Sequence, residues 1–200
     1  MNFLAHLYLS GSDSKIRLGN FIADFVKGGN FATRFESGIT KGIELHREID
    51  HFTDHHAVVQ ESKNRLRPKY RHYSGVIVDV FYDHFLAVNW KKYSNESLTS
   101  FAANSYEIIM QHDAILPEEL KAMMPYMIKG NWLVNYATID GIHRSLSGMA
   151  RRTPYQSKME EASIDLKENF EGFQNEFTRF FPDLQHHCQE WISLHAGSQS

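Results

Sequence analysis

Apolar positions recur three and four residues apart along most of the chain, and strict alternation is sustained nowhere. Over residues 38–61, Ile39, Ile43, Ile49 and Phe52 follow a helical period, with no proline and no glycine after Gly42. Residues 76–90 repeat the pattern through Ile77, Val80, Phe81, Phe85 and Val88. This predicts a second amphipathic helix, although Val76-Ile77-Val78 alone also suits a strand. Further helices are predicted over 98–114, 117–128 and 131–146; Pro117 followed by Glu118 and Glu119 suits a helix start. A long charged segment, 154–180, is closed by Phe181-Pro182, and a last helix follows over 184–195. Short connections fall at Gly28-Gly29, Arg67-Pro68-Lys69, Leu116-Pro117, Lys129-Gly130 and Thr153-Pro154. The pattern predicts an all-α chain of about seven helices, with residues 1–200 forming a single domain.

Composition narrows the class. With 200 residues, 42% hydrophobic and 22% charged, the chain is globular rather than disordered or fibrous. No stretch reaches the roughly 18 apolar residues of a membrane span. The start, MNFLAHLYLSGSDSK, lacks the early positive charge and small-residue cleavage site of a secretory signal. The single cysteine, Cys188, excludes an internal disulfide and a thiolate zinc cluster. A soluble, cytoplasmic protein is expected. A net charge of −3 makes no global case for nucleic-acid binding. Twelve histidines is a high number for this length, and it gains meaning only where they recur with carboxylates at helical spacing.

Three segments meet that condition. In LHREIDHFTDHH (45–56), His46, Asp50 and Asp54 lie at i, i+4 and i+8, one row on a helix, where imidazole and carboxylate can share a hard metal ion. The plainer alternative is a solvated face on which Thr53, Asp54 and His55 simply end the helix. In DVFYDHF (79–85), Asp79 and Asp83 at i, i+4, followed by His84, stand in an otherwise apolar helix. Carboxylates there are costly to bury unless paired or metal-bound; a buried ion pair and a core hydrogen bond explain them equally well. In GNFIADFVKG (19–28), Asn20 and Asp24 share a helical face, Asp24 being either a ligand or a cap for a neighbouring helix. His6, alone in NFLAHLYL, reads first as a core histidine and gains interest from the number of available partners.

Histidine and aspartate on three or four helices, without cysteine, form the donor set of Mn²⁺, Mg²⁺ or Fe²⁺ before structural zinc. Such an ion lowers the pKa of a coordinated water and polarises a phosphoryl oxygen, which points to metal-assisted hydrolysis of a phosphoester. The Walker loop and the GxSxG elbow are both absent. Charge is uneven as well. Residues 62–78 hold no acid but carry Lys63, Arg65, Arg67, Lys69 and Arg71; residues 141–159 again lack acids and carry Arg144, Arg151, Arg152 and Lys158. These segments are either ordinary solvated helix ends or a docking surface for an anionic partner.

In order along the chain, MNFLAHLYL, GNFIADFVKG, GIELHREIDHFTDHHAVV, GVIVDVFYDHFLAVNW, WLVNYATIDGIHRSLSGMARR and FTRFFPDL resemble the acyl carrier protein phosphodiesterase family. The resemblance implies an all-helical, HD-domain-like fold, divergent from the HD-type metal-dependent phosphohydrolases. It also implies cleavage of the phosphodiester that joins 4′-phosphopantetheine to a serine of acyl carrier protein, with Mn²⁺ favoured. The HD dipeptide itself is reversed here, as Asp83-His84. The expected ligands are His46, Asp50, Asp83 and His84, with Asp24, Asp79 and His6 in or around the same shell. Arg47 and Asp54 are the candidate catalytic groups, Arg47 being equally suited to a surface ion pair. The implied partner, small, helical and acidic, gives Arg65, Arg67, Arg71, Arg151 and Arg152 a docking role. An HD-type hydrolase of small phosphoesters and a non-enzymatic helical binding protein are the rival readings.

Overall fold

Helix α1 (Phe3–Leu9) is apolar on nearly every side, with Leu4, Ala5, Leu7 and Leu9 buried, as an interior helix must be. Asn2 makes no side-chain cap for it. Asp83, far along the chain, serves instead, accepting the backbone N–H groups of Leu4 (2.8 Å) and Ala5 (3.2 Å). Helix α2 (Ser14–Ile22) starts on Asp13, whose carboxylate accepts from the Lys15 and Ile16 N–H groups. It crosses α3 (Ser37–His55) backbone to backbone. In this computed structural model, which describes residues 1–195, a Cβ on Gly19 would lie 2.0 Å from the Ile39 carbonyl oxygen. One on Gly42 would lie 2.2 Å from that of Ile16. Only glycine permits this approach, and it carries Asn20 of α2 up against His46, one turn beyond Gly42.

The helix predicted over 38–61 is two. His56 is extended (φ −72°, ψ 130°), its Nδ1 accepts the Val58 N–H at 3.3 Å, and α4 (Ala57–Tyr70) sets off anew. Pro68, expected in a connection, lies inside the last turn of α4, which forgoes the one backbone hydrogen bond that its missing N–H would have made. Arg71 ends that helix at φ +52°, a conformation that strains any side chain. Helix α5 (Ser74–Val88), which takes in Val76-Ile77-Val78, is buried almost all round. After the single turn α6 (Trp90–Tyr93), α7 (Leu98–Met110) stops short of residue 114 and gives way to a 3₁₀ turn at Asp113–Ile115. Helix α8 (Glu118–Lys129) follows.

The helix predicted over 131–146 divides into α9 (Trp132–Asn135) and α10 (Ile139–Arg152). Extended Thr138 resets the chain there, its Oγ1 accepting the Gly141 N–H at 3.0 Å. After α11 (Ala162–Glu168), α12 (Phe170–His195) runs straight through Pro182, where a break was predicted. Phe177, Phe180, Phe181 and Leu184 are buried on both sides of the proline, and their packing outweighs the lost N–H bond. About seven predicted helices thus become twelve among the described residues, because apolar period reports which face is buried and not where a helix is interrupted. The all-α expectation holds: no strand occurs among the described residues. No described helix is long and apolar enough to cross a membrane. Helix α12 lies against α5, with the Phe177 ring 5.6 Å from Tyr82 and 5.9 Å from Phe85. This leaves the opposite side of α5 to α1 and α10 and opens a groove between them and α3.

Candidate metal centre and active site

His6 of α1 and His46 of α3 stack with ring centroids 3.9 Å apart and planes 14° from parallel. Asn20, fully buried at the glycine crossing, orients both. Its Nδ2 donates to the His6 carbonyl (3.0 Å) and to Ser10 Oγ (2.9 Å), which fixes the amide and leaves Oδ1 as the acceptor. His6 Nδ1 donates to that oxygen at 2.8 Å. His46 Nδ1 donates to the Asn20 carbonyl at 2.8 Å and lies 3.2 Å from the same Oδ1. With both Nδ1 protons committed, both Nε2 atoms are turned toward the carboxylates, Asp24 and Asp50, that line the groove. There His46 Nε2 sits 3.1 Å from Asp24 and 3.2 Å from Asp50, one turn along α3, and His6 Nε2 sits 3.2 Å from the other Asp50 oxygen.

Two stacked imidazoles do not both carry charge. Burial and the neighbouring His46 lower His6 to about 4. Burial also disfavours charge on His46, but Asp24 and Asp50 outweigh it and raise that ring to about 9. Burial opposes charge on Asp50 as well; the two rings and the Met1 ammonium overcome it and hold the carboxyl far below its ordinary range. His6 Nε2 is therefore a bare lone pair, buried, facing a carboxylate, and without a hydrogen-bond partner. A cation between them resolves that opposition. One donor atom from each of His6, His46 and Asp50 lies within 4.8 Å of the other two. Two imidazole nitrogens with carboxylate oxygens, each ring steadied through its far nitrogen, are a donor set that suits a divalent transition ion.

The other expected residues divide. Asp24 joins the cluster through His46. Asp79 stands behind it, 3.0 Å from the Met1 ammonium, itself 3.6 Å from Asp50. Asp83 does not reach the cluster, because both its oxygens are spent on α1. Nor does His84, whose Nδ1 donates to the Tyr136 carbonyl at 2.7 Å while Phe85 and Phe170 pack edge-on against its ring. Arg47 is turned away, its guanidinium 4.4 Å over the Phe31 ring. Asp54 lies on the groove wall beside Asp50, held by Lys63 Nζ at 2.7 Å. Asn20 was legible only as a residue sharing Asp24's helical face; its orienting role needs the glycine crossing to be seen.

The groove, 310 Å³ in volume, has Asp24, Asp50, Asp54 and Asp79 on its walls together with Met1 and, among the described residues, one cationic side chain, Arg152. A second, open groove of 670 Å³ meets it at Asp54, Val76 and Asp79 and carries Lys63, Arg67 and Arg71.

Residues 1–184 match the acyl carrier protein phosphodiesterase family. The chain belongs to that family. A protein of Photorhabdus laumondii named acyl carrier protein phosphodiesterase is 34% identical over 183 residues, covering 91% of this chain and 92% of its own. Its namesake in Yersinia enterocolitica is 32% identical, over 95% of this chain and 98% of its own, and that of Escherichia coli O6:H1 33% identical, over 92% and 95%. No solved structure matches the chain. Within the family frame, the expected docking arginines separate as well. Arg65 is paired with the buried Glu176 and stacked on Phe173, so it holds α4 to α12 and is not free to dock. Arg67, Arg71, Arg151 and Arg152 remain on groove or cavity walls.

Proposed function

We propose that the chain is a metal-dependent phosphodiesterase, acting in the cytoplasm, that removes 4′-phosphopantetheine from holo-acyl carrier protein and leaves the apo-protein. The carrying observation is the unpartnered Nε2 of His6, buried beside His46 and behind Asp50, which lines a groove whose cationic side chain among the described residues is Arg152. His6, His46, Asp50 and Asp24 would hold a divalent cation, with Mn²⁺ favoured and Mg²⁺ or Fe²⁺ as alternatives. Such an ion supplies Lewis acidity to a phosphoryl oxygen and makes a coordinated water more acidic.

The chain's own groups do the rest. Asn20 keeps both rings in the tautomer that presents Nε2. Arg152, across the groove from the carboxylates, offsets charge gathering on the phosphoryl oxygens. Asp54, fixed by Lys63 on the same wall, is assigned to proton movement at the groove mouth. Arg67, Arg71 and Arg151 orient an acidic helical partner. Kinship with HD-type phosphohydrolases is supported by the helical frame and a His/Asp set drawn from separate helices, although no adjacent His-Asp pair lies in the cluster. Incubation with holo-carrier protein, read by intact mass, tests the reading. Conversion to the apo mass with Mn²⁺, and none with chelator, is expected; an unchanged holo mass in both would overturn it.

A further inference from the structure

A cavity of 580 Å³ lies between α1, α8, α9 and α10, well within the range of about 300–1,000 Å³ typical of ligand pockets. It does not stand apart from the candidate metal centre: Phe3, Met123, Met149 and Arg152 wall both spaces. Its remaining walls are largely apolar, with Trp132 and Tyr126, and Tyr126 is left 71% exposed at the side. Asn135, Ser145, Arg144 and Arg151 provide its further polar groups. The acidic groove is therefore flanked on one side by the basic groove of Arg67 and Arg71 and on the other by this apolar cavity. We infer that the cavity receives the pantetheine arm of the substrate while the basic groove faces the carrier; this rests on the function proposed above. The arm is a narrow chain of methyl, amide and thiol groups. Such a chain needs long apolar walls, aromatic or methionine surface for its methyls and sulfur, and a few hydrogen-bonding groups for its amides. Arg152, common to the cavity and the groove, marks where the phosphate must lie.

One residue makes the cavity's room adjustable. Gly148 sits on its wall inside α10, and a Cβ there would meet nothing within 4 Å. Glycine is a poor choice for a helix interior, so Gly148→Leu and Gly148→Phe fill the cavity while favouring the helix. In these variants, kcat/KM on holo-carrier protein is expected to fall about tenfold further than kcat/KM on a small aryl phosphodiester that lacks the arm. Free pantetheine is expected to raise the melting temperature of the wild type and not that of Gly148→Phe. Equal losses on both substrates, or a pantetheine shift that survives in Gly148→Phe, would overturn the assignment. If the wild type leaves holo-carrier intact, the proposed function fails, and the thermal shift alone decides the cavity: a shift abolished by Gly148→Phe sustains it, and no shift in the wild type ends it.

Discussion

His46 with Asp50 on α3 and Asp83 with His84 on α5 are the same two kinds of side chain on two buried helices, yet they end in opposite conditions. On α3 the Asp50 carboxylate is 43% open, and Asn20 fixes the Nδ1 side of His46 and of the neighbouring His6, so that both Nε2 atoms are turned toward carboxylates. On α5 the carboxylate is wholly buried and both its oxygens cap α1, while the ring is closed off by a backbone carbonyl and two phenylalanines. The difference lies in what remains unsatisfied. A buried polar group with all its partners is structure; a buried lone pair aimed at a carboxylate is a place for a cation.

The comparison breaks most visibly at Asp50. Asp50→Ala is expected to lower hydrolysis of holo-carrier about 10³-fold, with helical circular dichroism unchanged. Asp83→Ala is expected to lose instead about 2–4 kcal/mol of stability in urea titration, since two N–H groups of α1 lose their acceptor. That stability also has a pH signature. Burial, only partly countered by the α1 N–H groups, raises Asp83 to about 7. Between the unfolded value near 4 and that figure, the folded chain keeps a proton that the unfolded chain has released. Stability from this group therefore falls as pH rises from about 4 to 7 and levels off above. Asp83→Asn is expected to flatten that slope. Asn20→Ala, which frees both rings, is expected to weaken Mn²⁺ binding about 10–100-fold by calorimetry. Smallest is the docking surface. Arg67→Glu with Arg71→Glu is expected to raise KM for the carrier about tenfold, an effect that salt erodes. Arg65→Glu is expected to act on the urea midpoint, because its partner Glu176 is buried.

Much of this was legible in the residues. The i, i+4 pair His46 and Asp50 stood out because it interrupts an apolar helical period with ligating side chains, and the all-α class followed from that same period. What periodicity omits is the partner across space. That Asp83 lies under the first turn of α1, or that Arg65 meets a glutamate 111 residues away, is fixed by tertiary packing. The place of Asn20 depends on Gly19 and Gly42, whose significance appears only when two helices touch. Pro182 misled because a proline's local cost is small beside the four large side chains that anchor α12 around it.

If His6, His46 and Asp50 are the ligands, the cation belongs to α1 and α3 and not to α5. Calorimetric titration of Mn²⁺ into the wild type, Asp50→Ala and Asp83→Asn separates the two helices. One affinity is expected in the wild type and Asp83→Asn, and none in Asp50→Ala; binding that survives in Asp50→Ala and vanishes in Asp83→Asn would move the cation to α5.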